Sequence, residues 1–311
     1  MLHRSEINSP RGDNADVRRA RPLNAREDDR RHAPENISAG PGTGPDFLCI
    51  GAHKAGTTWL YQQLHSHPDF WMPPVKELHY FDQQSRVQRA SHPRCRDERD
   101  RRFLENLQSL SAEPATNLAD YAQLFEPKGT LVSGDISPNY STLRTEVIRQ
   151  IVGYFPKLKV IFLARDPVER AWSHLSMEVH YRQIEPFDVT NINEVNRNLS
   201  RRGMLLRSYP SVIVARWKRY VPPEQFRVYF FDDLQINPVE LRHSILRFLG
   251  ADPEKSGSRL KPDHNSWTKM EKLPLSNNVR SYLAKFFKKE LKTCAARLGG
   301  PAKDWPARYG F

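Results

Sequence analysis

Cysteine is nearly absent. The 311-residue chain has three, Cys49, Cys95 and Cys294, an odd number at wide spacing without a CxxC pair, which argues against a disulfide framework or a cysteine-based zinc site. Cys49 lies inside an apolar run and is expected to be a small core residue, not a nucleophile. Long apolar runs are missing too: none approaches the roughly 20 residues that a membrane span needs. The N-terminus has arginines but no apolar stretch of the secretory kind, and it carries too many acids for an organellar presequence. A cytoplasmic chain without a membrane span is expected, and no internal repeat is visible.

Large apolar residues are scarce in residues 1–46, where eight arginines and eight acids cancel. Such a stretch buries too little to offset its ordering entropy, and 33–45 (APENISAGPGTGP) reads as a linker. Residues 1–45 are therefore expected to be a disordered tail and linker, and 46–311 a single domain. Since the first 46 residues carry no net charge, the whole formal charge of +12 belongs to the remainder. That excess suggests an anionic partner without naming it.

What is present is an alternation of short apolar runs and helical patterns. Runs at 47–51 (FLCIG), 130–134 (TLVSG), 159–163 (KVIFL) and 227–231 (RVYFF) are predicted strands. Helices are predicted at 57–66, 118–125, 144–153, 167–179, 204–220, 238–249 and 276–291, with Pro167 and Pro238 suited to first-turn positions. The order implies an α/β fold with a mostly parallel sheet covered on both faces. Residues 86–102, with seven arginines and three acids, are expected to form a solvated surface segment, or else a place where an acidic acceptor lies.

The stretch Gly51-Ala-His-Lys-Ala-Gly-Thr-Thr-Trp59 falls where the first strand gives way to a helix, the position at which backbone N–H groups and the helix dipole cradle phosphate. It differs from a Walker A loop because Thr57, not lysine, follows Gly56, and the lysine is Lys54 inside the loop. This argues against ATP or GTP as donor. An ordinary glycine turn with Thr57 capping the helix is the plainer reading of the loop alone.

Lys54-Ala-Gly56-Thr57-Thr58 resembles the KxGTT phosphosulfate loop of the sulfotransferase superfamily. Arg165, Pro167 and Ser173, in VIFLARDPVERAWS, are similar to that family's signature for the nucleotide 3′-phosphate, and smaller likenesses at Ser208-Tyr209, Arg216-Trp217, 227–234, Pro238 and 248–250 extend it over about 46–310. The resemblance implies a P-loop-NTPase-like three-layer fold and 3′-phosphoadenosine 5′-phosphosulfate (PAPS) as donor, leaving 3′-phosphoadenosine 5′-phosphate (PAP). It implies cofactor contacts at Lys54, Ala55, Gly56, Thr57, Thr58, Trp59, Arg165, Ser173, Tyr209 and Lys269, with Lys54 on the leaving phosphate. A guanidinium fork and a second-turn serine suit phosphate geometry, and sulfuryl transfer makes no metal obligatory.

Lys76-Glu77-Leu-His79-Tyr-Phe81-Asp82 resembles the segment that supplies the catalytic glutamate in the heparan-sulfate type of sulfotransferase. Glu77 is then the general base and His79 a supporting group, with His79 itself the alternative base. Lys76, Asp82, Asp135 and Ser137 become candidates for acceptor contacts. If the run is extended, Glu77 and His79 share a face while Leu78 and Tyr80 pack opposite. One departure is Ile136, which stands where the resembling EKSPxY segment has a lysine. The acceptor stays open among carbohydrate, phenolic metabolite, lipid head group and peptide tyrosine, with a sugar hydroxyl or amine foremost. Rival readings are a nucleotide-dependent kinase, which lacks its lysine after Gly56, and a PAPS-binding protein without transfer activity. A nucleic-acid binder stacking bases on Trp71 and Tyr80 is disfavoured because the basic residues form no stripe.

Overall fold

The computed structural model describes residues 43–82, 95–110, 117–255, 260–263 and 271–311. Among them, four strands form one parallel sheet in the order β2-β1-β3-β4: β1 (Phe47–Cys49), β2 (Gly134–Ile136), β3 (Lys159–Ala164) and β4 (Phe226–Phe230). Phe47 is in register with Gly134 on one side and Lys159 on the other. Every residue of β1 and β2 is buried, as a parallel sheet covered on both faces requires. Gly134 is needed where it stands, since a Cβ there would lie 2.5 Å from the Phe47 ring.

The helices are α1 (Thr57–His65), α2 (Glu98–Leu110), α3 (Leu118–Gln123), α4 (Thr145–Tyr154), α5 (Pro167–His180), α6 (Ile192–Leu199), α7 (Arg202–Leu206), α8 (Pro210–Lys218), α9 (Phe231–Ile236), α10 (Pro238–Leu249) and α11 (Asn277–Leu298). Together with the sheet they make the mostly parallel, helix-flanked α/β fold that the alternation implied. No helix among the described residues is long and apolar enough to cross a membrane.

The helices α6 and α9 were not predicted, and three further elements depart from expectation. Of the charged segment, residues 86–94 lie outside the described residues; from Glu98 the chain is the helix α2, which buries Phe103 and Leu107 and holds Asp100 with its side chain fully inside. Asp100 accepts hydrogen bonds from Arg96 Nε (2.6 Å) and Trp71 Nε1 (3.2 Å), so the acid is paired instead of hydrated. The single helix predicted over 204–220 is two, because Pro210 cannot donate an N–H or follow a helical residue comfortably and instead opens α8 at its first turn. The second strand, Gly134–Ile136, begins at the last residue of the predicted run and continues past it, while Val132 within that run forms an isolated bridge to Phe70.

All four strands point the same way, so their C-terminal ends form one rim. From it emerge the turn Gly51–Gly56 after β1, Ser137–Thr142 after β2, Arg165-Asp166 after β3 and the start of α9 after β4. Ligands bind at such rims in open α/β sheets.

Candidate active site at the sheet rim

The turn after β1 brings Lys54 and Arg165 together. Arg165 Nη1 donates to the Lys54 carbonyl oxygen at 2.6 Å, and the guanidinium lies over the Phe231 ring at 4.3 Å. Arg165 is 7% exposed, and its Nε is buried with no partner among the described residues. Lys54 adopts a left-handed φ of 68°, a conformation disfavoured for a residue with a Cβ and a mark of constrained sites. Burial, reinforced by the charges of Arg165, Lys272 and Lys76, pushes its ammonium down to about 8.

Gly56, at φ 93°, is the N-cap of α1, and no side chain caps the helix. Thr57 is thus the first helical residue and not the cap, which leaves the first turn with the uncapped N–H groups that favour an anion. Thr57 is buried and Thr58 partly exposed. Trp59 instead packs in the core and donates its indole N–H to Pro262 O at 2.7 Å. Ala55 is fully buried and its N–H is spent on Ala52 O at 3.2 Å.

Ser173 lies on the second turn of α5, 5% exposed. Asp166 caps that helix by accepting from Val168 N–H at 2.9 Å. Tyr209 stands at the start of α8 against Phe287 of α11, with ring centroids 6.0 Å apart. Lys269 lies outside the described residues; Lys272, near enough to act on Lys54, lies within them.

Glu77 and His79 do meet, with Glu77 Oε2 at 3.5 Å from His79 Nε2. They do so by a route that alternation did not foresee: both residues are left-handed, φ 65° and 54°, so the run is folded back instead of extended. Leu78 and Tyr80 are buried. Lys76 forms an ion pair with Glu77, and His79 Nδ1 lies 2.8 Å from Asp82 Oδ2. Burial works against the Glu77 carboxylate, but Lys76 and His79 outweigh it and hold its pKa well below the usual range. Burial likewise opposes the His79 charge, yet Asp82 and Glu77 raise it to about 9. An imidazolium has no lone pair, so at neutral pH His79 is a donor and Glu77 is the group able to accept a proton.

Two acceptor candidates are misplaced for that task. Asp135 is 1% exposed and Ser137 fully buried. Ser137 Oγ donates to Asp135 Oδ1 at 2.6 Å, while the hydroxyls of Tyr140 (2.7 Å) and Tyr121 (3.1 Å) donate to Oδ2. Burial raises the Asp135 pKa. These groups hold the floor beneath His79, whose N–H reaches Ser137 Oγ at 3.4 Å, and do not line a cleft. Ile136 is buried as well.

Sequence reasoning missed a polar wall beside Glu77. Asn139 Oδ1 accepts from Arg207 Nε (2.9 Å) and Nη2 (2.6 Å) and lies 2.8 Å from His53 Nε2, which makes Nε2 the protonated ring nitrogen. Burial pushes His53 down to about 4, so it is neutral at pH 7. Its ring stacks on His174 at 5.5 Å. His53 adjoins Lys54 in the turn, and that adjacency is the one signal the sequence held. Among the described residues no group of three His, Cys, Asp or Glu side chains is arranged to hold a metal.

The profile of the sulfotransferase family matches residues 45–255. The chain belongs to that family. It is similar to human bifunctional heparan sulfate N-deacetylase/N-sulfotransferase 2, 23% identical over 84% of this chain and 30% of that protein. The chain therefore spans under a third of the length of this curated relative. Among solved structures, a sulfotransferase from Alicyclobacillus acidocaldarius is similar with a TM-score of 0.60 and 23% identity, covering 84% of this chain and 98% of that one. The sulfotransferase domain from the curacin biosynthetic pathway aligns with a TM-score of 0.50 and 15% identity, over 79% and 98%. Both show the same fold.

Proposed function

We propose that this family member transfers a sulfuryl group from PAPS to a hydroxyl or amine of a carbohydrate or small-metabolite acceptor. The observation that carries the reading is the meeting of Lys54 and Arg165 at the rim, with the buried Arg165 Nε left without a partner among the described residues. An orphaned buried guanidinium nitrogen is costly unless an anion completes it, and a nucleotide 3′-phosphate fits that need. Arg165 and Ser173 hold the 3′-phosphate, and the uncapped first turn of α1 with Thr57 and Thr58 holds the 5′-phosphate. When bound, PAPS supplies the sulfuryl group and a phosphate leaving group.

Lys54 stabilises the charge that develops on the leaving oxygen, and Glu77 takes the proton from the attacking hydroxyl or amine as the acceptor–sulfur bond forms and the sulfur–phosphate oxygen bond breaks. His79, as imidazolium, orients Glu77 and is itself held by Asp82. The name of the human relative supports a glycan acceptor, and Lys76, paired with Glu77, and Asp82, paired with His79, are the remaining candidates for touching it.

Calorimetric titration with PAP, AMP and ATP tests the donor site. Wild type is expected to prefer PAP over AMP by at least tenfold, and Arg165→Ala to abolish the preference. Equal affinities, or tighter ATP binding, would refute the reading.

A further inference from the structure

Arg165 is framed on two sides, and both sides are anchored by the same short stretch at the C-terminus. Its neighbour Asp166 is 1% exposed. One carboxylate oxygen caps α5, and the other accepts the Tyr309 hydroxyl at 2.9 Å and lies 3.8 Å from Arg308 Nη1. The ring beneath the guanidinium is Phe231, and its neighbour Asp232 is also buried. Asp232 forms an ion pair with Arg308 and accepts from Trp305 Nε1 at 3.3 Å. Arg308 thus touches the carboxylate that follows Arg165 and the one that follows Phe231. Trp305 is fully buried against Phe230 at the end of β4, with centroids 6.1 Å apart.

We propose that residues 305–309 act as a positioning clamp which holds Arg165 in register for a 3′-phosphate, and so sets selectivity between 3′-phosphorylated and plain nucleotides. The inference rests on the donor reading given above. Its physical basis is that a buried guanidinium discriminates only while its geometry is fixed. Hydrogen bonding on one face is supplied by the Lys54 carbonyl and stacking on the other by Phe231, yet each attachment is only as rigid as the backbone bearing it. Two buried carboxylates, at Asp166 and Asp232, tie those backbones to one arginine, one tyrosine and one tryptophan. Removing a tie leaves a buried carboxylate short of a partner, and the loop beside Arg165 relaxes to rehydrate it. Tyr309, Arg308 and Trp305 are positioning residues, since their hydrogen bonds and ion pairs go to Asp166 and Asp232.

The test is the ratio of PAP to AMP affinity, measured by calorimetry on the full chain, in wild type, Tyr309→Phe and Arg308→Met. Tyr309→Phe keeps the ring and deletes one hydroxyl, which makes it the variant least prone to misfold; Arg308→Met keeps the stem and deletes the charge. In each, PAP affinity is expected to fall about tenfold, with AMP affinity within twofold of wild type. A merely structural role would lower both affinities together with the melting temperature, or change neither, and either result overturns the clamp. A wild type that does not prefer PAP overturns the donor reading itself and the clamp with it. Preference retained unchanged in both variants sinks the clamp alone.

Discussion

Lys54 carries the most quantitative consequence of this arrangement. Burial and the cations Arg165, Lys272 and Lys76 lower its ammonium from 10.5 to about 8. A bound dianionic phosphate supplies the opposite field, so nucleotide binding should raise Lys54 back above about 10 and draw a proton from solvent. At pH 8 about half of the free protein carries neutral Lys54, so PAP binding should take up about 0.5 proton through it; at pH 6.5 this Lys54 contribution falls to about zero, and at pH 9 it rises to about 0.9. The phosphate groups, with second pKa values of about 6, are already dianionic at pH 8 and contribute little. The assay is calorimetric titration with PAP in pairs of buffers of high and low ionisation enthalpy, where the slope of apparent enthalpy against buffer enthalpy counts protons. Lys54→Met should bring the pH 8 count to about zero. Uptake that is flat between pH 6.5 and 9, or that persists in Lys54→Met, would refute the assignment of Lys54 to the phosphate.

Other consequences are equally direct. Lys76→Met removes the cation paired with Glu77, so the carboxyl should titrate higher, moving up toward the ordinary carboxylate range. Carbon-13 titration of labelled glutamate reads this, and an unmoved Glu77 contradicts the pairing. His79, raised from 6.5 to about 9, contributes stability that is complete below pH 6.5 and lost as pH rises through 9. Asp82→Asn should shrink that loss in denaturant midpoints measured at pH 6 and 9.5, and identical pH dependence would count against it. Asp135→Ala leaves three buried hydroxyls without their acceptor and should cost about 3–5 kcal/mol, read as a lower denaturant midpoint at unchanged slope. A loss below about 1 kcal/mol would show that the network beneath His79 is dispensable.

The rim was legible because its markers are local. A strand ending in glycine, a lysine two residues before a second glycine, and a proline just after Arg165 each state a backbone requirement within a few residues. The floor and the wall were not legible, because their partners come from far along the chain. Asp135 has serines two positions away on either side and reads as exposed until Tyr121 and Tyr140 close over it. Arg207 and His53 are 154 positions apart and share only an asparagine oxygen. The helix α2 was hidden for a different reason: Phe103 and Leu107 have helical spacing, but dense arginines and acids masked it, and what tips the balance is the buried pairing of Asp100 with Arg96 and Trp71.

The left-handed residues connect these levels. Among the described residues, the non-glycine positions with positive φ are Lys54, Glu77, His79 and Arg182, and three of them are the residues that sequence reasoning had selected for catalysis. Each such conformation costs about 1 kcal/mol or more and persists only where surroundings overdetermine it. At Lys54 the surroundings are Arg165, bonded to its carbonyl, and the glycine N-cap of α1. At Glu77 and His79 they are Lys76, Asp82 and the Ser137 hydroxyl. The strain is thus maintained by the same polar contacts that tune the charges of the site: the fold holds Lys54 easier to deprotonate than an ordinary lysine, Glu77 ionised and His79 cationic before any substrate arrives. A site prepared in that way has little left to reorganise when charge moves from the acceptor to the leaving oxygen, which is the condition under which electrostatic stabilisation is most effective.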